Sequence, residues 1–477
     1  MSARASLLPS RRSILLSGLV AAAFGPRSSG AQTEPATVLQ LQRRSIEVAG
    51  KTASVFAIRQ PDGTDGITTE VGKVFRVRVD NQIGEPSLVH WHGLAPPWQQ
   101  DGVPGISGPP IPAGGSADYD FPLRYGGTFW MHSHQGLQEQ LLLDAPLIIH
   151  DQRYRPNEQE IVLMLADFSF TPPDRIFEAL KTRRTMPSMR AAMPAGSGAM
   201  SKPAKAAAPD LNDVTYDAFL ANERTLADPE IVRVDPSGQV LLRIINGASM
   251  SNFHIGLGRL TGELVAVDGS PVEPVSGKRF PIAAAQRLDI RLKIPPGAAA
   301  YPVLATVEGE RNRTGIVLAA GRAPIARIPA TAAAASPALT LALEERLRAA
   351  DPLKPRSPDR IYRIDLTGEM SGYIWSINNV VWNKDVPPLP VALGERVELV
   401  MTNRTMMPHP MHLHGHRFQT VEIDGTRFPG ALRDTVLVPP GRRVVIAFDA
   451  DNPGMWAFHC HLLYHLQAGM FTTIRYL

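Results

Sequence analysis

An all-β chain of about three domains is predicted, on three observations. At 477 residues the chain is too long for one core on the usual prior of roughly 150 residues per domain. Its 43 prolines and 39 glycines punctuate many short runs of Val, Ile, Leu and Thr, the pattern of short strands joined by turns. One strand-like phrase, largely alternating apolar and polar residues, occurs three times.

In chain order, the first element is not part of the fold. Ser10-Arg11-Arg12-Ser13, an apolar run over residues 14–24 and the small residues Ser29-Gly30-Ala31 form a secretory signal with a twin-arginine pair, expected to end near residue 31. The run of 11 residues is too short to cross a bilayer, so no membrane span is expected in the mature chain. The arginine pair points to the twin-arginine export machinery and the periplasm, with a general secretory signal as the alternative. Residues 1–31 hold Arg4, Arg11, Arg12 and Arg27 and no acid, so their loss takes the formal net charge from +4 to about zero. The basic balance belongs to the signal, and nucleic acid is not an expected partner.

The repeated phrase comes next. It is opened by Gly72 and closed by Asn81, again by Gly238 and Asn246, and again by Gly394 and Asn403. In the first and third copies nine residues separate Gly from Asn and nine more lead to His90 and His412; the middle copy runs eight and eight, to His254. Gly114 lies 18 residues before His132, and Gly441 lies 18 before His459. Three copies of one strand-rich unit explain this spacing. The expected division is signal 1–31, domain 32–155, domain 156–330, linker 331–358 and domain 359–477. Residues 183–210, with Met186, Met189, Met193 and Met200, and residues 319–358, with a short helix expected at 339–350, have the Ala/Pro-rich composition of exposed connections.

The chemistry is concentrated in histidine. Ten of the 13 histidines fall in four clusters: His90 and His92; His132 and His134; His409, His412 and His414; His459, His461 and His465. Alternating His-x-His puts both rings on one side of a strand, where they can face a shared metal. Cys460 is the only cysteine, so no intrachain disulfide can form, and an unpaired thiol in an oxidising compartment is expected to be buried or metal-bound. In an extended segment Cys460 faces one way and its neighbours His459 and His461 the other. A thiolate, imidazoles and the weak thioether of Met470 are a blue-copper ligand set. The middle copy keeps only His254 and is expected to carry no metal.

The four motifs HWHG, HSH, HPMHLH and HCHLLYHLQAGM resemble those of the multicopper oxidases, over essentially the whole mature chain and in the family's order. The phrases HSHQGLQEQ and RTMMPHPMHLHGH look closest to the exported copper-resistance and laccase-like bacterial branch. The resemblance implies three Greek-key β-sandwich domains of the cupredoxin type and four copper ions. It implies His409, Cys460, His465 and axial Met470 at type 1 copper, His90 and His412 at type 2, and His92, His132, His134, His414, His459 and His461 at the type 3 pair. Electrons from a phenol, an aromatic amine or a low-valent metal ion would pass from type 1 copper through Cys460, His459 and His461 to reduce dioxygen to water. One chain supplies every ligand, so a monomer is expected to suffice.

Asp101, in Trp98-Gln99-Gln100-Asp101-Gly102, matches the family's carboxylate for proton transfer, although an Asp-Gly pair is also a plain turn signal. Two positions depart from the metal-oxidising relatives. Leu466 stands where an acid follows the last type 1 histidine, and Thr405 stands where an acid precedes the first, while Met407 matches a thioether expected to bind substrate metal. The linker methionines are soft donors in a segment of biased composition. His150, His254 and His416 are expected to be structural. An exported copper-free scaffold would lack these histidine motifs, and a copper nitrite reductase would lack four paired ones in one chain.

Overall fold

A computed structural model describes residues 35–182 and 211–477. The expected signal, and the segment with Met186, Met189, Met193 and Met200, lie outside the described residues. From Ala36 onward the chain forms one compact unit. Among the described residues no helix is long and apolar enough to cross a membrane.

Six sheets pair into three sandwiches in chain order. The first sandwich sets Lys51–Arg59, Thr37–Val48, Val74–Asn81 and Ser116–Pro122 against Ile67–Glu70, Asp144–His150, Gly127–Ser133 and Val89–His92. Its core draws on both layers: Phe75, Val77 and Val79 from one, Trp91, Phe129 and Met131 from the other. The second sandwich has sheets of six and five strands, the third of seven and five. Each again has one core shared by both of its sheets. This is the all-β architecture expected from the turn-rich composition.

The repeated phrase is a strand that occupies the same place in each sandwich. Val74–Asn81, Gln239–Asn246 and Arg396–Asn403 each run parallel to the strand that opens their sandwich and antiparallel to a later one. The closing asparagine explains itself physically. Buried Asn81, Asn246 and Asn403 each accept from the backbone N–H two residues on, at 3.2, 3.1 and 2.8 Å, and each donates its amide to carbonyls of the loop that follows. An Asx turn thus closes the strand and aims the next segment back across the sandwich. In the first and third copies that segment carries His90 and His412.

Alternation is clean only in the first copy, where Phe75, Val77, Val79 and Asn81 are buried. In the second copy the other face is covered as well, because Arg243 pairs there with Asp289 at 2.9 Å and bonds Thr128 of the first sandwich at 2.9 Å. The connection at 331–358 also departs from its expected exposure. Leu339, Leu341 and Leu347 are buried, and buried Glu344 bonds Arg433 at 2.9 Å and Thr420 at 2.8 Å. Only a short 3-10 turn, Glu344–Arg346, forms within the expected helix. Backbone bonds from Ala350 to Pro271 and from Ala349 to Gly430 clamp the segment between the second and third sandwiches. Averaged composition hid three leucines and one acid whose partners lie far away in sequence.

Candidate metal centres

Strand pairing gathers the histidines. Val89–His92 and Gly127–Ser133 run antiparallel with His90 opposite His132. His409–Leu413 and Met455–Cys460 run antiparallel with His412 opposite His459 and Met411 opposite Cys460. Across the first and third sandwiches the rings then collect in groups whose donor atoms lie within 4.8 Å of one another: His90, His92 and His412; His92, His132 and His461; His134, His414 and His459. A separate group holds His409, Cys460 and His465. The strand alternation expected at Cys460 is what divides the peptide between the two places.

Second partners fix which nitrogen is open in six of these rings. A carbonyl oxygen only accepts, so the bonds from His90 Nδ1 to Asp101, from His412 Nδ1 to Asp434, from His132 Nδ1 to Ser133 and from His459 Nδ1 to Cys460, at 2.8–3.0 Å, put the proton on Nδ1. His414 Nδ1 donates to Asp101 Oδ2 at 2.8 Å. His92 is reversed: its Nε2 donates to Asp434 Oδ1 at 3.0 Å, and its Nδ1 is buried without a partner. The open nitrogens converge. His90 and His412 Nε2 are 3.4 Å apart, His134 and His459 Nε2 3.4 Å, and His414 and His459 Nε2 2.9 Å. His132 Nε2 and both nitrogens of His461 are also buried with no hydrogen-bond partner. Lone pairs that face one another suit cations held between them, six of the eight rings being oriented from behind.

The cysteine group has the same design. Cys460 Sγ is 3.6 Å from His409 Nδ1 and 3.8 Å from His465 Nδ1, which are 3.2 Å from each other. His409 Nε2 is bonded to Thr405 Oγ1 at 2.8 Å, and His465 Nε2 donates to Asp213 Oδ2 at 2.9 Å. Thr405 therefore orients a ring where an acid had been sought. Met470 is fully buried, and its backbone bonds Cys460 and His465 at 3.1 and 3.0 Å. The Trp375 ring stacks on His465 at 4.0 Å.

Electrostatics favour metal over proton at both places. Burial, and then neighbouring imidazoles, hold His92, His134, His409, His412, His414 and His461 well below the usual histidine range. Burial pushes His459 down to about 3. These rings are neutral ligands at any physiological pH. Burial raises the Cys460 thiol, so a thiolate there calls for a bound cation. Neutral imidazoles with one soft sulfur suit copper.

Asp101 sits in a tight turn and also sets its carboxylate against the histidines. Its carbonyl holds His90 and its carboxylate holds His414, while Gly102, at φ +84°, makes a turn so close that a Cβ would lie 1.8 Å from the Val89 carbonyl oxygen. Met407 does not meet the expectation of an open thioether. It is 1% exposed in the core of the third sandwich, because Thr405 and Asn403 tie its carbonyl inward, whereas the neighbouring Met406 is 50% exposed. His150 bonds Glu160 at 2.7 Å, His254 bonds the Pro337 carbonyl at 3.0 Å, and His416 bonds Tyr476 at 2.7 Å; none joins a cluster.

Four charged residues at these centres carry no sequence signal of their own. Buried Glu139 reaches His132 Nδ1 at 3.0 Å and lies 3.9 Å from His461 Nδ1; burial, then Asp167, pushes its carboxyl well above the usual range. This acid comes from the first sandwich and lies against His132 and His461. Asp213 backs His465. Fully buried Arg287 comes from the second sandwich and grips Asp434 with both terminal nitrogens, one at 2.7 Å, and Asp434 in turn holds His92 and His412. Gly93 of HWHG leaves room for that pair. At φ +89° its Cβ would lie 2.6 Å from Arg287 Nη2 and 2.7 Å from Asp434 Oδ2. Gly93→Ala is expected to lower stability by more than about 1 kcal/mol, read as a fall in melting temperature.

The comparisons agree with this geometry. Sequence models of the multicopper oxidases match residues 40–154, 160–322 and 355–476. The chain is 31% identical over 472 residues to the multicopper oxidase MmcO of Mycobacterium tuberculosis, covering 97% of this chain and 91% of that one. It is 27% identical over 528 residues to copper resistance protein A of Escherichia coli, covering 85% and 86%. The solved structure of Fet3p, a multicopper oxidase that functions in iron import, aligns with a TM-score of 0.75 at 20% identity, over 92% of this chain and 90% of that one. A laccase from Botrytis aclada aligns with a TM-score of 0.73 at 22% identity, over 92% and 88%. These two likenesses speak for the fold, the cupredoxin-like sandwiches expected. With family matches on all three sandwiches and a 31% identical relative along nearly its whole length, the chain belongs to the multicopper oxidases.

Proposed function

We propose that this chain is an oxidase that couples four one-electron oxidations of a small reducing substrate to the reduction of dioxygen to water, using four copper ions. The observation that carries the reading is the division of one peptide: Cys460 joins His409 and His465, while its neighbours His459 and His461 join the other six rings. We take the three sandwiches as three domains, 32–155, 156–330 and 359–477. His409, Cys460, His465 and Met470 would hold type 1 copper, His90 and His412 type 2, and His92, His132, His134, His414, His459 and His461 the type 3 pair. Copper bound there supplies single-electron acceptance at the cysteine and dioxygen reduction among the eight histidines.

The protein's own groups do the rest. The Cys460 peptide is a covalent link between the two places through both flanking histidines. Nine of the ten ligand rings are buried and His134 is half-buried, so little bulk water reaches them. Protons therefore need carried routes, and Asp101 and Glu139 are the carboxyls against the eight-histidine group. Asp101→Asn is expected to retain copper and the blue absorbance while turnover falls roughly 10²-fold. Equal copper content with unchanged turnover would remove Asp101 from the proton route. On the N-terminal signal, we infer export through the twin-arginine machinery to the periplasm, and action there as a monomer.

Among related proteins the names divide between copper resistance, iron transport and laccase, so the reductant is decided by experiment. Oxygen consumption of the copper-loaded mature protein is compared with Cu(I) and with 2,6-dimethoxyphenol. Buried Met407 favours the phenol, since it offers no open thioether to an incoming ion. Turnover with Cu(I) far above phenol would reverse that preference and bring in Met406 or the methionines of residues 183–210. No blue colour and no oxygen uptake after full loading would sink the oxidase and leave an exported, non-catalytic copper-binding scaffold.

A further inference from the structure

The chain pairs its buried guanidiniums with care, which makes one exception informative. Arg243 meets Glu160 and Asp289, Arg287 meets Asp434, Arg396 meets Asp449, and Arg433 meets Asp268 and Glu344. Half-buried Arg417 has no such partner among the described residues. Its Nε and Nη2 are buried and donate to nothing, and its guanidinium lies 3.7 Å from the centre of the Tyr125 ring. Burial pushes it down to about 10, the mark of a cation short of compensation. A buried charge without a counterion is costly, and a π face replaces only part of what a carboxylate gives.

Arg417 lines a cleft of about 780 Å³ that also receives Arg124 and Arg153. Two of the cleft's three carboxylates are engaged elsewhere: Asp151 holds Arg153 at 2.8 Å, and Glu70 lies 3.3 Å from Lys73. The third, Asp351, is exposed. The cleft therefore holds an uncompensated guanidinium, an exposed second arginine in Arg124, and space for a ligand. A guanidinium fork matches the paired oxygens of an oxyanion.

We propose that this cleft is an anion site, separate from the copper ligands, that takes a small oxyanion, either an inorganic phosphate or the carboxylate of an organic acid, with Arg417 as its principal donor and Arg124 as its second. The test is calorimetric titration of the copper-loaded, full-length protein with sodium phosphate and with sodium benzoate, at ionic strength matched by sodium chloride. One saturable site is expected in the wild type, at least tenfold weaker in Arg417→Gln and severalfold weaker in Arg124→Gln. The phosphate and benzoate arms tell an inorganic from an organic ligand. Melting temperature supplies a second readout. In chloride Arg417→Met is expected to be at least as stable as the wild type, and the tighter-binding anion is expected to restore the advantage of the wild type. Absence of saturable binding in the wild type overturns the proposal, as does equal binding in the Arg417 and Arg124 variants. It is also overturned if Asp351→Asn lowers the melting temperature as Arg417→Gln does while neither anion stabilises the wild type, since Asp351 would then be the counterion. Should Arg417→Gln fail to fold, Arg124→Gln carries the test alone.

Discussion

Cys460→Ser, loaded with copper, is expected to lose its blue absorbance and its oxygen uptake while keeping most of its metal. Serine removes the thiolate from a group whose other close members are two imidazoles, His409 and His465. Its hydroxyl does not ionise at neutral pH, and so cannot give the charge-transfer band that thiolate gives to copper. The eight remaining rings do not depend on that sulfur. In six of them the open nitrogen is set by Asp101, Asp434 or a backbone carbonyl, none of which touches Cys460 Sγ. The backbone that aligns His459 is also independent, since His412 and His459 pair through the strand register. Metal analysis should therefore give about one copper fewer per chain, not four fewer, and paramagnetic resonance should keep the signal of the His90–His412 copper. Loss of all copper would mean that the two places fill as one. Retained blue colour would remove Cys460 from the ligand set.

What could be read from the residues alone was whatever repeats. Paired histidines two apart, an asparagine nine residues before His90 and His412, and a glycine 18 before His132 and His459 are periodic, and strand geometry converts such periods into a shared face. The histidine clusters and the three sandwiches follow from those signals. The groups that orient the ligands were not legible, because each is a single charged residue with a distant partner. Arg287 and Asp434 are 147 positions apart, His465 and Asp213 are 252 apart, and no local pattern marks any of them. The burial of Leu339, Leu341 and Leu347 failed to show for the same reason, since contacts made across sandwiches leave no trace in local composition. Thr405 shows the limit differently: it was visible as a missing acid, and only the bond to His409 Nε2 reveals what it does instead.

Among the described residues the second sandwich adds no member to the histidine clusters, yet its Arg287 grips the Asp434 that orients two of their rings. Arg287→Met should weaken copper binding at the eight-histidine group by roughly 10–100-fold while leaving the blue absorbance of the Cys460 group in place. The reason is a relay of contacts. Arg287 fixes both oxygens of Asp434; Asp434 Oδ1 takes the Nε2 proton of His92, which turns His92 Nδ1 inward; and the Asp434 carbonyl takes the Nδ1 proton of His412, which leaves His412 Nε2 open. Methionine also strands a buried carboxylate, so the single variant should lose about 3–5 kcal/mol of stability as well. The two effects separate in a double variant. Arg287→Met with Asp434→Leu removes both charges, and replacing a buried pair by apolar groups is often neutral, so melting temperature should recover. Copper affinity should not recover, because leucine cannot accept from His92. Measured side by side, stability that returns without copper affinity would establish the pair as a positioning device for the metal centre. Stability and affinity returning together would reduce it to a clamp between sandwiches, with the tautomer of His92 set by the metal itself.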